Sequence, residues 1–265
     1  MTYETILVDT SDDGVMTVTL NRPDKLNSFN EQMQAEFVRL WGQVNADDDV
    51  RAVVLAAAGD RAFSTGVDVT ERLDTESPFV DQAHPWAENE DPGRKISPRR
   101  HEVWKPVISA VQGMCAGGAF YWIADSDIVI CSPEATFFDP HVTYGFVAAL
   151  EPIAMRVRMP FPEVMRMSLL GLHERVTAER ALTIGLVTEI VPRDSLLARA
   201  QQLATAIASQ PAAAVQGTVK ALWQSLDLGR EQALATALLY TQVGNPIATA
   251  ALDRGAVRPA EIWQR

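Results

Sequence analysis

Apolar residues in the first part of the chain follow the spacing of strands and then that of a helix. The runs TILVDT and VMTVTL predict two strands joined by an Asp-Gly turn. A helix is predicted after Asn30, a residue type that caps helices, because apolar residues then recur at helical spacing. The face of that helix consists of Met33, Phe37, Leu40, Trp41 and Val44. The run RAVVLAAAG then predicts a buried strand.

The middle of the chain repeats the succession of strand, glycine turn and helix. KPVISAVQG predicts a strand, GGAFYWIAD a short helix and SDIVICS another buried strand. The polar stretch 72–104 predicts a loop with one short helix. After Pro162 the pattern becomes helical, interrupted by one strand, LVTEIVP, and ends in two Ala/Leu-rich runs, 194–224 and 230–253. We therefore expect an α/β body over residues 1–193 and a helical region over 194–265.

Composition limits the kinds of ligand and compartment. The chain has 265 residues, is 47% hydrophobic and carries a net charge of −11, which disfavours binding to nucleic acid or to an anionic membrane. The start of the chain has no apolar signal core and no segment is long and apolar enough to span a bilayer, so we expect a cytosolic protein. Cys115 and Cys131 lack metal-ligand spacing and are interpreted as small buried hydrophobes.

Two glycine turns are candidates for anion binding. GMCAGGAF does not have the spacing of a dinucleotide or phosphate loop, but its glycines allow a ligand oxygen to approach unpaired backbone N–H groups. STGVDV offers the same opportunity, with Gly66 suited to an unusual backbone angle and Asp68 to capping the next segment. Two such donors converging on one oxygen would form an oxyanion hole. The alternative is that both are ordinary tight turns.

Five segments together resemble the crotonase (enoyl-CoA hydratase/isomerase) superfamily, in its order and at its spacing. They are VMTVTLNRPDKLNSF, RAVVLAAAGDRAFSTGVDV, KPVISAVQGMCAGGAF, SDIVICSPEATFFDP and ERVTAERALTIGLVTEIVP. The resemblance implies a spiral of ββα units with a C-terminal helical trimerisation region. It also implies an acyl-CoA substrate, of which coenzyme A is a part, with no separate cofactor and no metal.

The same resemblance implies roles for individual residues. The thioester oxygen would lie between the N–H groups of Val67 and Gly118, where Val67 replaces the family's usual alanine. The coenzyme A channel would be lined by Lys25, Leu26, Ser28, Ser64, Gly66, Asp68 and Gly117. Arg254 and Arg258 fall where basic residues of the family approach the coenzyme A phosphates, although the end of the chain matches the family only in part.

The same resemblance implies that both catalytic glutamates of the family's hydratases are replaced. Tyr121 occupies one position and His141 the other. His141 is the preferred acid or base because imidazole titrates near 6.5, with Asp139 able to orient its ring. Tyr121 is suited to donating a hydrogen bond, or is simply a core aromatic. Glu151 is a weaker candidate for the missing acid.

Several alternatives stay open at this point. His84, Trp86, His101 and Trp104 in the long loop are all able to face a substrate. The chain could be a lyase or isomerase, a hydrolase in which His141 activates water against a β-keto carbon or the thioester, or an acyl-CoA binder without catalysis. The Ala/Leu-rich C-terminal helices, apolar on more than one face, predict a trimer or a hexamer made of two.

Overall fold

Ten strands form two sheets in the computed structural model, which describes residues 2–70, 91–252 and 263 of the chain. The larger sheet has the order β1-β2-β3-β5-β7-β10 and the smaller one the order β4-β6-β8-β9. The strands are β1 Ile6–Thr10, β2 Val15–Leu20, β3 Ala52–Ala57, β4 Ala62–Ser64, β5 Val107–Val111, β6 Met114–Ala116, β7 Ile128–Cys131, β8 Thr136–Phe138, β9 Val176–Thr177 and β10 Glu189–Ile190.

Successive strand pairs turn the chain into a spiral. β1 and β2 form the predicted antiparallel hairpin, and from β2 onward neighbours in the larger sheet are parallel. β3, β5 and β7 lie in the larger sheet, and the strand after each of them, β4, β6 or β8, lies in the smaller sheet. A structural repeat therefore exists without a visible sequence repeat, because strands of three residues are too short to show a periodic pattern.

Nine α-helices connect or cover these strands within the described residues. They are α1 Glu31–Ala46, α2 Gly93–Ile96, α3 Phe120–Ala124, α4 Leu150–Met155, α5 Phe161–Leu170, α6 Ala178–Thr183, α7 Arg193–Ala208, α8 Ala212–Ser225 and α9 Arg230–Ala250. The predicted cap of α1 is confirmed, since the Asn30 side chain accepts a hydrogen bond from the Met33 N–H at 3.0 Å. Its predicted apolar face is buried.

The larger sheet is buried on both faces, which explains the continuous apolar runs. Along β3, Val53 and Leu55 belong to the main core with α1 and α3, whereas Ala52 and Val54 belong to a second core on the opposite face. Alternate residues of a strand point to opposite faces, so both sets must be apolar. Helix α7 covers the second face with Leu196, Ala200, Ala204 and Ala208.

Three predictions differ from the structure in detail. LVTEIVP contributes only the two residues of β10, because only Glu189 and Ile190 pair with β7. The run 194–224 is divided at Pro211, which cannot donate the backbone hydrogen bond needed to continue α7. KPVISAVQG is followed by a further strand, β6, inside what the sequence predicts to be only a glycine turn.

Helices α8 and α9 pack on each other and leave many apolar side chains exposed. No residue of α8 is buried, and Ala248 is the buried residue of α9. The exposed set is Leu222, Leu226, Leu234, Leu238, Leu239, Val243 and Ile247. In the described part of the chain, no helix is both long and apolar enough to cross a membrane.

Candidate active site

The two glycine turns are in direct contact. Gly66 has a φ of +85°, and a Cβ added to it would lie 2.6 Å from the backbone nitrogen of Gly118. A Cβ on Gly118 would in turn lie 2.8 Å from the Phe29 ring. Both positions therefore require glycine, for backbone conformation at the first and for close packing at both.

Val67 forms an isolated parallel bridge with Phe29, and the Val67 N–H group points away from Phe29. Phe29 donates to the Gly66 carbonyl at 2.8 Å, and Asp68 donates to the Phe29 carbonyl at 2.9 Å. In a parallel bridge of this kind, the intervening residue directs its own N–H to the other side. Gly118 lies in the 3₁₀ turn Gly117–Ala119, where the first N–H groups have no partner within the turn.

The predicted coenzyme A channel residues, except Gly117 in its 3₁₀ turn, lie on two segments, 25–28 and 64–68, that are hydrogen-bonded to each other. Leu26 adopts a left-handed conformation with a φ of 53°, and its carbonyl accepts from the Thr65 N–H at 3.2 Å. The Ser28 hydroxyl donates to the Lys25 carbonyl at 2.8 Å, and the Gly66 N–H donates to the Ser64 hydroxyl at 3.2 Å. Ser28 and Ser64 are buried, so their hydroxyls hold the loops in shape.

The Asp68 carboxylate links the two segments through an ion pair with Arg22. Its Oδ2 accepts from Arg22 at 2.9 Å, and its Oδ1 accepts from the Thr70 N–H at 3.1 Å, as expected of a cap. Burial acts to raise the pKa of Asp68, but the hydrogen bonds from Thr70 and Arg22 prevail and hold the pKa below its ordinary value. Lys25 stays exposed, with its Nζ 3.5 Å from the Thr70 hydroxyl.

His141 is held beside the second glycine turn by a buried carboxylate. Its Nδ1 lies 2.6 Å from Asp139 Oδ1, which also accepts from the His141 backbone N–H at 3.0 Å. A Cβ on Gly117 would lie 3.7 Å from His141 Cε1, so the ring borders the turn. The hydrogen bond with Asp139 raises the pKa of His141, burial opposes this, and the charges of Asp139 and Glu151 add to the rise.

Glu151 approaches the other ring nitrogen of His141. Its Oε1 lies 3.7 Å from His141 Nε2, and its side chain is 8% exposed. Burial raises the pKa of Glu151, while its own backbone hydrogen bond and the His141 charge act against that rise. Glu151, the weaker acid candidate from the sequence, thus lies beside His141, the preferred one.

Tyr121 is buried in the core cluster, as one sequence interpretation holds, and the acidic residues Glu151 and Asp91 influence its pKa. The pKa of Tyr121 lies well above its ordinary value. Burial is the largest cause, and the charges of Glu151 and Asp91 and hydrogen bonding to them raise it further. Tyr121 and Asp91 also line a cavity of about 150 Å³ together with Ser97, Arg100, Asp125, Leu150 and Ile153. Asp91 was not predicted from the sequence, because it lies in a polar loop without any periodic signal.

The remaining candidates divide into those the structure describes and those it does not. His101 has its Nε2 3.0 Å from the Lys95 carbonyl, and Trp104 lies within cation–π distance of Arg99 and Lys220. His84, Trp86, Arg254 and Arg258 lie outside the described residues. Over the described ranges, no cluster of three or more His, Cys, Asp or Glu side chains could hold a metal ion.

Comparison with known proteins connects this geometry to one family. The model of the family described as enoyl-CoA hydratase/isomerase matches residues 10–254. An (E)-benzylidenesuccinyl-CoA hydratase of Thauera aromatica is 31% identical, covering 86% of this chain and 85% of the relative. A 1,2-epoxyphenylacetyl-CoA isomerase of Escherichia coli K12 is 35% identical, covering 75% and 74%. The crystal structure of an enoyl-CoA hydratase/isomerase from Mycobacterium paratuberculosis matches with a TM-score of 0.84 at 34% identity, covering 96% of this chain and 94% of that one.

Proposed function

We propose that this chain, which belongs to the enoyl-CoA hydratase/isomerase (crotonase) superfamily and is an enzyme of that family, moves a proton at the α-carbon of an acyl-CoA thioester. The reaction would be a lyase or isomerase reaction passing through a thioester enolate. The observation that supports it best is the contact of Asp139, His141 and Glu151 beside the Gly117–Gly118 turn.

The backbone half of the site would stabilise the enolate oxygen. The N–H groups of Val67 and Gly118 are the proposed donors, since both belong to turns that touch through Gly66 and Gly118. Donors of this kind act on charge that develops in the transition state, and one of them is typically worth about 3 kcal/mol. A side-chain change such as alanine to valine leaves a backbone donor in place.

The side-chain half would transfer the proton. Tyr121 and His141 are proposed to occupy the positions of the family's two glutamates, with His141 taking the proton and Asp139 holding its ring. Glu151, whose Oε1 lies 3.7 Å from His141 Nε2, is proposed as the partner that exchanges a proton with it. Enolate chemistry fits this pair because one group removes a proton while its neighbour holds another.

A substrate screen tests the reaction class. Crotonyl-CoA, a 3-enoyl-CoA and a β-keto acyl-CoA would be incubated separately with the protein, while enoyl absorbance and free thiol are recorded together. We expect a change in enoyl absorbance without thiol release. Thiol release would instead indicate thioester hydrolysis, and carbon–carbon cleavage of the β-keto substrate would indicate a hydrolase acting there. Binding without conversion of any substrate would indicate a non-catalytic acyl-CoA binder.

Coenzyme A is proposed to bind along the two loops that carry Lys25, Leu26 and Asp68. The exposed ammonium of Lys25 is available to an anionic group, whereas Ser28 and Ser64 would contribute through the backbone. Arg258 is proposed to add positive charge for the phosphates, which an acidic protein needs locally. Lys25→Ala should weaken acyl-CoA binding while leaving turnover at saturation nearly unchanged.

A trimer, or a hexamer made of two trimers, is proposed for the assembly. Helices α8 and α9 in region 194–265 leave large apolar side chains exposed, and exposed apolar surface of this kind favours contact with another protein chain. Light scattering at micromolar concentration would measure the mass. A species of only 29.0 kDa would show the assembly proposal to be wrong.

A further inference from the structure

The cavity lined by Tyr121 adjoins residues that the proposed function uses. Tyr121 follows Gly118 by three residues at the start of α3, so this wall of the cavity lies about one helical turn from a proposed oxyanion donor. Leu150 and Ala154 of α4 also line the cavity, and Glu151 lies between them in the chain. Side chains three residues apart on a helix are neighbours, so Ala154 lies beside Glu151. An acyl chain whose thioester lies at the glycine turns would therefore extend toward this cavity.

The described lining of the cavity has an apolar wall and a polar wall. The apolar wall belongs to α4 and consists of Leu150, Ile153 and Ala154. The polar wall belongs to segment 91–100 and to the end of α3, and consists of Asp91, Ser97, Arg100 and Asp125. The volume is about 150 Å³, and a protein cavity of that volume can hold a benzene molecule. The cavity therefore has room for the outer part of an acyl group of about six carbon atoms.

Part of the polar wall is already hydrogen-bonded within itself. The Ser97 hydroxyl donates to Asp125 Oδ2 and accepts from the Arg100 backbone N–H at 3.3 Å. Asp91 Oδ1 accepts from the Gly93 N–H at 2.9 Å, but a carboxylate has about four acceptor positions. The Arg100 side chain is exposed, and a guanidinium has five N–H donors. The wall thus offers an acceptor at Asp91 and a donor at Arg100.

A neutral hydroxyl group matches this wall better than an alkyl or an anionic group. An alkyl end would take charged side chains out of water without replacing their hydrogen bonds, which costs free energy. A carboxylate end would meet Arg100 favourably but would be repelled by Asp91 and Asp125. A hydroxyl both donates and accepts, so it can bond to a carboxylate and a guanidinium at the same time.

We propose that this cavity selects acyl-CoA thioesters whose acyl group carries a hydroxyl near its far end, with Asp91 and Arg100 as the specificity-determining residues. The hydroxyl would donate to the Asp91 carboxylate and accept from the Arg100 guanidinium. The inference rests on the proposed function, which places the thioester at the glycine turns, and it names the substrate class of that same site.

Three thioesters with six-carbon acyl groups test the selection. Hexanoyl-CoA ends in a methyl group, 6-hydroxyhexanoyl-CoA in a hydroxyl and adipoyl-CoA in a carboxylate, and calorimetry would measure the affinity of each. We expect 6-hydroxyhexanoyl-CoA to bind roughly tenfold more tightly than hexanoyl-CoA, because it gains hydrogen bonds to charged groups. Equal affinity of these two thioesters would overturn the proposal, and so would tightest binding of adipoyl-CoA.

Variants of the polar wall assign the preference to its residues. Arg100→Met keeps a long unbranched side chain and removes the donors, and Asp91→Ala removes the acceptor. Each variant should lose most of the tenfold preference for the hydroxyl without weakening the binding of hexanoyl-CoA. Arg94→Met changes an exposed arginine of α2 that is not among the lining residues, and it should keep the preference. Equal loss of the preference in Arg94→Met and Arg100→Met would overturn the proposal.

Ala154→Leu tests whether the acyl chain occupies the cavity. The larger side chain would fill part of the space, so hexanoyl-CoA and 6-hydroxyhexanoyl-CoA should each bind roughly tenfold more weakly, whereas the shorter butyryl-CoA should bind as before. Val157→Leu enlarges an exposed side chain outside the lining and should leave all three affinities unchanged. Equal weakening of butyryl-CoA and hexanoyl-CoA in Ala154→Leu would show that the acyl chain does not lie there and would overturn the proposal.

Exchange of the α-hydrogens of hexanoyl-CoA in D₂O, followed by NMR, separates this selection from the function beneath it. Exchange by the native protein without any preference for the hydroxyl would overturn the selection and leave the proposed function standing. A preference that Arg100→Met abolishes, found without exchange, would support the selection and overturn the enolate function. If both proposals hold, His141→Ala should stop exchange and keep the preference.

Discussion

The two halves of the candidate site are built in different ways. The oxyanion half consists of backbone groups at Val67 and Gly118, positioned by glycines that pack against each other. The proton-transfer half consists of side chains from three separate elements, namely α3, α4 and the turn after β8. The first half depends on local conformation, whereas the second depends on long-range packing.

This difference explains which half tolerates substitution. A backbone N–H persists whatever side chain it carries, so Val67 is compatible with the proposed donor role. Proton transfer depends on the chemical identity of each side chain, and the proposed exchange of glutamates for Tyr121 and His141 changes the available pKa range. The burial of Tyr121 raises its pKa, whereas the carboxylate of Asp139 makes His141 more basic than an ordinary histidine.

The largest effect is expected in the side-chain half. His141→Ala should lower turnover by roughly 10²–10⁴-fold on a substrate that the native protein converts, with little change in acyl-CoA affinity, because it removes the group that carries the proton. Steady-state kinetics and calorimetry would measure the two quantities. His173→Ala, which changes an exposed histidine, should behave like the native protein. Equal turnover in His141→Ala and His173→Ala would mean that His141 is not the base and would make Glu151 the next candidate.

A somewhat smaller effect is expected in the backbone half. Gly66→Ala should lower turnover by about 10²–10³-fold, because the added Cβ meets the Gly118 nitrogen and displaces a donor. It also adds left-handed strain, which costs about 1–2 kcal/mol in the free energy of unfolding. Kinetics and urea denaturation would be compared in the same preparations.

Gly185→Ala is the matched control for that strain. Gly185 has a φ of +83°, close to the +85° of Gly66, but a Cβ there meets only the Arg158 carbonyl at 3.8 Å. It should therefore lose stability without losing turnover. If both variants lose activity equally, strain alone accounts for the Gly66 effect and the close approach of the two turns has no catalytic meaning.

The sequence predicts the backbone half better than the side-chain half for the same physical reason. Glycine spacing and apolar runs are local signals, so the predictions of the hairpin, the face of α1 and the unusual backbone angle of Gly66 are confirmed. The short strands of the smaller sheet and the cavity that Asp91 and Tyr121 line together depend on residues distant in sequence. No local pattern predicts such an arrangement. The contact of Asp139 with His141 could be predicted, because the two residues are close in sequence.

The smallest and most diagnostic effect is expected from Asp139→Asn. The amide oxygen can still accept from His141, so turnover should fall by only about fivefold, or about 1 kcal/mol, the difference between charge-assisted and neutral hydrogen bonds. As a base, His141 must be neutral, so the native kcat/KM should rise with pH through a midpoint above 6.5, because Asp139 raises the pKa of His141. In Asp139→Asn this midpoint should move to lower pH.

The hydrogen bond between Asp139 and His141 should stabilise the fold fully below the unfolded pKa of about 6.5 and progressively less as the pH rises through the folded pKa. Urea unfolding at about pH 5.5 and about pH 9 should therefore show a stability difference between native protein and variant that is larger at the lower pH. Identical pH–rate profiles for the two proteins would mean that Asp139 positions the ring without setting its basicity.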